Sequence, residues 1–278
     1  VIVDLLCPLR EASNPALYGA KAANLSRLMN VDRGVHGVPV HVPAGFAIDY
    51  EIVRLACEKQ TRLLSLAGEI CARMPETFAL RSSVIGEDGD GASFAGQHLS
   101  VLNVVNDVDG VANYIVDIFE SASDAAAVAY RLRRGITGPI QVGIIAQTMV
   151  RARISGVMFT GGEQAPYVIE AGRGLGEAVA QGLINPDYYQ LDASGLCQMK
   201  RLGDQEIMIA EAAKGGVQRV KVEQHAEPLL DSRWRYAMFE HASQCQAVFG
   251  PRLDIEWAIE SGRFWILQVR PTTGHENG

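Results

Sequence analysis

Nine short segments with strand-like alternation are interleaved along this 278-residue chain with stretches of helical periodicity. They are FALRSS, HLSVLNVV, IQVGIIAQTMV, GVMFT, YVIEA, DYYQLD, QRVKVE, LDIEWAIE and RFWILQVR. A strand repeats every two residues and a helix every 3.6, so a chain mixing the two must pack helices against sheets. That excludes a helical bundle and a β-sandwich, and leaves α/β or α+β. Helices are expected over 16–29 (after Asn14-Pro15, with Lys21 near the start), 51–73 and 109–120, and near 177–184 and 232–248. Residues 35–48 hold too much Gly and Pro for a helix and read as loop, short strand, turn and strand.

Composition narrows the function classes. With 48% hydrophobic and 21% charged residues the chain is a folded globular type. A net charge of −7 repels polyanions, so no nucleic-acid partner is expected and any phosphate site needs a local cluster of cations. Five cysteines without a Cys-x-x-Cys pair point to reduced thiols and away from a zinc site. No apolar run reaches the roughly 18–20 residues of a membrane span, and Asp4 interrupts any signal-peptide core. A cytoplasmic protein without a membrane partner is the expectation.

Two glycine-rich segments suggest anion binding. In RSSVIGEDGDGASFAGQHLS (81–100) an arginine, hydroxyls and four glycines lie between two strands, so backbone N–H groups can close on an oxyanion, or the segment is simply a hairpin loop. No Lys-Ser or Lys-Thr follows a glycine loop, so there is no Walker P-loop. YVIEAGRGLGEAVAQGLI (167–184) is strand, turn and helix, with Glu177 where a dinucleotide fingerprint needs its third glycine. Such a turn holds a phosphate or is only a tight connection.

LDIEWAIESGRFWILQVRP (253–271) carries the most chemistry. A three-residue loop at Ser261-Gly262-Arg263, with Glu260 opposite Phe264, sets Glu256 opposite Gln268 and Asp254 opposite Arg270. Leu253, Ile255, Trp257, Trp265, Leu267 and Val269 then occupy the other face. Two carboxylates, an amide oxygen and a phosphate suit Mg²⁺ or Mn²⁺; the alternative is a solvent face with a cross-strand Asp–Arg pair.

In chain order, GAKAANLSRL (19–28), VPAGFAI (42–48), RSS, ED and ASFAGQ (81–97), AQTMV (146–150), SGVMFT (155–160), GLGEAVAQGLINPD (174–187) and DIEWAI with ILQVRP (254–271) resemble one family. It is the N-terminal ATP-binding domain shared by phosphoenolpyruvate synthase, pyruvate phosphate dikinase and rifampin phosphotransferase. The resemblance implies an α+β, ATP-grasp-like fold, two lobes with mixed and antiparallel sheets enclosing an ATP cleft. It places an N-terminal lobe at 1–139, a C-terminal lobe with the adenine strand and metal hairpin at 140–271, and a tail or linker stub at 272–278.

The resemblance also implies roles. Lys21 and Arg81 grip the ATP phosphates, Gly96 and Ser100 lie in the loop that covers them, and Gln147 marks the strand beside the adenine pocket. Glu256 and Gln268 hold Mg²⁺ or Mn²⁺, with Asp254 in support and Arg270 beside them. Lys21, Arg81 and Arg270 stabilise the transferring phosphoryl group. The implied activity passes the β-phosphate of ATP to a histidine on a swivelling partner domain or subunit, in cis or in trans, for delivery to a small-molecule acceptor.

The chain departs from the family pattern at Ala20, at Gly89-Asp90 and at Ser100, where Gly, Leu-Pro and Thr are common, and its 60-residue interval from Lys21 to Arg81 is short. It contains no swivelling histidine domain, so an incomplete catalyst is expected. The competing readings are a stand-alone ATP-grasp ligase that forms an acyl phosphate and releases ADP, and a nucleotide-binding regulatory module without turnover.

Overall fold

The computed structural model describes residues 4–30, 41–86, 99–122, 141–161, 166–224 and 226–272. In chain order the elements are β1 (Cys7–Pro8), a 3-10 turn (Leu9–Glu11), α1 (Pro15–Met29), β2 (Gly45–Ile48), α2 (Tyr50–Cys57), α3 (Gln60–Arg73), β3 (Thr77–Val84), β4 (Ser100–Val105), α4 (Val108–Ser121), β5 (Val142–Thr148), β6 (Ile154–Phe159) and β7 (Tyr167–Arg173). They continue with α5 (Glu177–Ala180), β8 (Asp187–Leu191), β9 (Cys197–Arg201), β10 (Ile207–Glu211), β11 (Val217–Lys221), α6 (Ser232–Phe249), β12 (Leu253–Glu260) and β13 (Arg263–Pro271). The fold is α+β, and every pairing between adjacent strands of its two main sheets is antiparallel. A lone Gly174–Ile209 bridge is parallel.

Two compact units divide the chain: Val1–Ser26 with Pro43–Met149 and Glu211–Val217, and Arg27–Val42 with Val150–Ala210 and Gln218–Gly278. The expected boundary at 139/140 separates the elements differently. β5 lies on the far side of that boundary in sequence, yet it is the central strand of the first unit's sheet, ordered β1-β2-β5-β3-β4. Its central position follows from burial on both faces, with six of its seven residues buried.

In the first unit, Phe78, Leu80 and Val84 of β3 share a face with Val142, Ile144 and Ala146 of β5 and pack against Val53, Leu66, Ile70, Val111 and Ile115 of α2, α3 and α4. Asp49 caps α2 by accepting the Glu51 N–H at 2.7 Å, and Asp107 caps α4 by accepting the Gly110 N–H at 2.8 Å. The single helix expected over 51–73 is two, because Lys59 adopts an extended conformation (φ −142°, ψ 119°) before α3. Both halves bury onto the same core, so the apolar stripe runs across a break that periodicity does not register.

The second unit holds a six-stranded sheet, β13-β12-β6-β7-β8-β9. Trp257 and Phe264 stack at 6.0 Å between ring centroids, and Phe264 stacks on His241 of α6 at 4.7 Å, which places α6 on that face. Asp231 caps α6 by accepting the Trp234 N–H at 2.9 Å. Asp187, fully buried, accepts from the Gly203 N–H (2.8 Å), the Leu229 N–H (2.9 Å) and the Tyr189 hydroxyl (2.9 Å). One carboxylate thereby ties β8 to the segments that precede β10 and α6.

Candidate functional site

In the first unit the face of the sheet away from the core carries the predicted side chains. On β3 the alternation sets Ala79, Arg81 and Ser83 outward; across from them on β5 stand Gln147, Ile145 and Gly143. Ser100, the first residue of β4, pairs directly with Arg81. α1 lies on this same face, because a Cβ at Gly19 would sit 2.3 Å from the Ser83 carbonyl oxygen and one at Gly143 would sit 3.0 Å from the Tyr18 carbonyl oxygen.

Gly19 breaks α1 (φ 79°, ψ 166°), and the helix restarts beyond it. The Ala22 N–H at this new start bonds to the Ser83 hydroxyl at 3.2 Å, so a residue from β3 does the work of an N-cap. Lys21 sits in this restarted turn and is only 9% exposed, unlike the solvated lysine of an ordinary first turn. Gln147 is 3% exposed and donates its amide to the Pro43 carbonyl at 3.0 Å. Lys21, Arg81, Ser100 and Gln147 are therefore gathered at one sheet face, while Gly96 lies outside the described residues.

In the second unit Glu256 pairs with Gln268 and Asp254 with Arg270, as expected, although the expected loop is wrong. Glu260 pairs with Arg263 across a two-residue turn of Ser261 (φ 49°) and Gly262 (φ 75°), the positive-φ geometry that suits a right-twisted hairpin. One extra residue, Leu267, then slips in where Trp257 pairs with Ile266 and Glu256 with Gln268. The shorter turn and the bulge cancel from Glu256 onward. They do not cancel at Trp265, which pairs with Ala258 and so stands on the carboxylate face, opposite to the face expected for it.

Arg270 donates Nε to Asp254 Oδ2 at 2.9 Å and Nη2 to the same oxygen at 2.5 Å. Asp254 Oδ1 is buried without a hydrogen-bond partner. Burial pushes the Asp254 carboxyl above the usual carboxylate range, with Glu256 adding to the shift and Arg270 opposing it. The cross-strand Asp–Arg pair and the oxygen-rich patch are thus both present, side by side. Glu256, the Gln268 amide and the orphaned Asp254 oxygen are donors of the kind a hard divalent cation takes. Among the described residues no three His, Cys, Asp or Glu side chains converge, so an amide oxygen is needed to complete such a set.

The row through Glu256 continues across the sheet to Val157 of β6 and Glu170 of β7, and then to Tyr188 of β8. The next row is Ala258, Ser155 and Gly172, and it is roofed by the glycine turn and α5: a Cβ on Gly172 would meet Ile184 Cδ1 at 2.7 Å and Val179 Cγ2 at 2.8 Å. The motifs 174–187 and 254–271, far apart in sequence, lie on one sheet face. Sequence reasoning passed over Glu170. Its only local signal is a charged residue at an alternating position inside YVIEAGR, and its significance comes from its neighbours in the sheet.

Residues 58–278 match the pyruvate phosphate dikinase, AMP/ATP-binding domain family. The chain belongs to this family. The match covers Arg81, Ser100, Gln147 and the whole 254–271 hairpin, and Lys21 precedes it. A rifampicin phosphotransferase of Streptomyces sviceus is 27% identical over 310 residues, 95% of this chain and 35% of the relative. A probable phosphoenolpyruvate synthase of Methanocaldococcus jannaschii is 32% identical over 218 residues, covering 76% of this chain and 18% of that protein. Another, from Archaeoglobus fulgidus, is 35% identical over 205 residues, 70% of this chain and 27% of the relative. The chain spans about a third or less of the length of these relatives, 35%, 18% and 27% in turn. No helix among the described residues is long and apolar enough to cross a membrane.

Proposed function

We propose that this chain is the ATP-binding part of a dikinase-type phosphotransferase. It transfers the β-phosphate of ATP to a histidine on a partner domain or subunit, and AMP and phosphate leave once water has taken the terminal phosphoryl group. The phosphohistidine then serves a small-molecule acceptor. Family membership supports nucleotide binding, and the names of the larger relatives support phosphotransfer.

The observation that carries the reading is the pairing of Glu256 with Gln268 directly beside an arginine held rigid by a buried aspartate. Phosphoryl transfer needs positioned charge more than a protein nucleophile. Arg270 is pre-oriented by Asp254, so its guanidinium charge is positioned without reorganisation when charge develops. Lys21 is withdrawn from bulk water, where its charge acts with less screening, and Arg81 lies across from the Ser100 hydroxyl. Glu256 and Gln268, with Asp254 in support, would hold Mg²⁺ or Mn²⁺, which supplies charge neutralisation at the phosphates. Gln147 marks the strand beside the base.

The test is to incubate the chain with Mg·ATP, with and without candidate histidine-bearing partner proteins, and to separate the nucleotides. AMP with phosphate, dependent on the partner, is the expected result. ADP formed without a partner would replace it with the ligase reading.

A further inference from the structure

We infer that the cavity between α2, α3 and the segment before β1 binds a medium-chain aliphatic carboxylate, with its tail in the cavity and its head on Arg62. The cavity has a volume of about 410 Å³, within the range of about 300–1,000 Å³ common to small-molecule sites. Buried Ala56 and Leu66 and half-buried Leu5, Ile52 and Leu55 line it. All five side chains are aliphatic. Walls without a ring to stack on favour a flexible hydrocarbon over a planar aromatic ligand. The remaining lining residues, Thr61, Arg62 and Ser65, are exposed and lie within one turn of each other on α3, so the cavity has a polar rim on that side.

Charge on that rim selects an anion. Glu51 and Glu58, at the two ends of α2, both pair with Arg54, while Asp4, beside Leu5, and Glu69 of α3 pair with Arg73. The acids of the surrounding elements are engaged elsewhere, and among the described residues the Arg62 side chain has no hydrogen bond, ion pair or ring contact. Thr61 and Arg62 stand in the first turn of α3, whose cap residue Lys59 makes no side-chain hydrogen bond, so the positive end of the helix adds to the guanidinium at the same rim. A carboxylate there accepts from Arg62, with the Thr61 and Ser65 hydroxyls as further donors. α2 and α3 pack on the core face of the sheet, and Arg81 and Ser83 stand on the other face. The site is therefore separate from the residues assigned to the nucleotide, and the inference goes beyond that reading.

The experiment is titration of the ¹⁵N-labelled chain with sodium octanoate and with 1-octanol, followed by amide NMR, with the thermal transition of each variant measured alongside. Octanoate should shift the resonances of residues 52–66 saturably and bind about fivefold more tightly than octanol, the upper part of the range for a solvent-exposed ion pair. Arg62→Gln should weaken octanoate about fivefold and leave octanol unchanged, which serves as the internal control for folding. Leu55→Gln, at a half-buried wall position, should weaken both ligands by about fivefold or more. Equal affinity of the two ligands for wild type overturns the inference, as does undiminished octanoate binding in either variant or a set of shifts confined to other elements. Failure of both ligands to bind also overturns it, and resonances of the same residues that then move with protein concentration would assign this face to a second copy of the chain. None of these outcomes bears on ATP binding, which is tested by its own titration.

Discussion

The Asp254 carboxylate receives both of its Arg270 hydrogen bonds on one oxygen, Oδ2, and leaves Oδ1 buried and unpaired. The side chains are only 14% exposed for Arg270 and 10% for Asp254, so this is an interior ion pair rather than a surface one. Its energetics are therefore asymmetric. Removing the arginine leaves a buried charge, whereas removing both charges leaves an apolar gap. Arg270→Met should destabilise the protein by about 3 kcal/mol in urea unfolding, and Asp254→Asn combined with Arg270→Met should recover a large part of that loss. Additive losses in the double variant would show that the pair is not the buried unit described.

His241 gives the pH dependence a definite sign. Burial, and secondarily His41, push its imidazole down to about 4 from an ordinary value of 6.5. The unfolded chain then binds a proton that the folded chain refuses, so this residue's contribution to stability is complete above pH 6.5 and is lost as the pH falls towards 4. A loss on the order of 2 kcal/mol between pH 7 and pH 5 is expected for wild type. His241→Phe, which can keep the stacking on Phe264, should flatten that part of the profile. Equal slopes for the two proteins in denaturant unfolding at pH 7, 6 and 5 would contradict the assignment.

Asp254 acts in the opposite direction. Its folded-state carboxyl is raised, so the stability linked to it is present below the ordinary aspartate range and declines as the pH rises through the folded value. Asp254→Asn should therefore lose less stability, relative to wild type, at pH 7 than at pH 3. The comparison is read from unfolding midpoints of the two proteins in matched buffers.

Gly19 is a position where a methyl group has nowhere to go. Gly19→Ala places a Cβ 2.3 Å from the Ser83 carbonyl at a φ of 79°, and the restart of α1 must shift. A loss of about 2–4 kcal/mol is expected, together with weaker nucleotide binding, because Lys21 follows directly. Thermal unfolding and calorimetric titration of the same preparation measure the two effects.

Lys21→Ala should abolish phosphoryl transfer while leaving the thermal transition within a few degrees of wild type. Glu256→Gln should raise the Mg²⁺ concentration needed for half-maximal turnover by about tenfold or more. Both are read from AMP release with the phosphohistidine partner present. Undiminished transfer in Lys21→Ala would remove that residue from the site.

Much of the fold was legible because short-range periodicity reports what one element does. The helix 232–248 and strands such as 253–260 and 167–173 appear close to where alternation and helical spacing set them. The segment at Lys59 shows the limit, since two helices that bury onto one core continue each other's stripe. The hairpin shows another: a two-residue turn and a bulge at Leu267 reproduce the pairings of a plain three-residue loop everywhere from Glu256 to Asp254, whereas Phe264, Trp265 and Ile266 each pair one residue away from the partner that loop gives.

The amino-acid sequence by itself determined which residue types stand at alternating positions, and hence that Asp254 and Glu256 face one way along β12, and Arg81 and Ser83 along β3. Only the tertiary structure decided which strands lie beside one another. That choice buried Lys21 in the turn where α1 restarts against Ser83, moved Gln147 into the first unit's sheet, and brought Glu170 into the same row of the sheet as Glu256. The reason is physical: period fixes the face of an element through local backbone geometry, whereas strand neighbours are chosen by burial summed over the whole core, which no window of sequence contains.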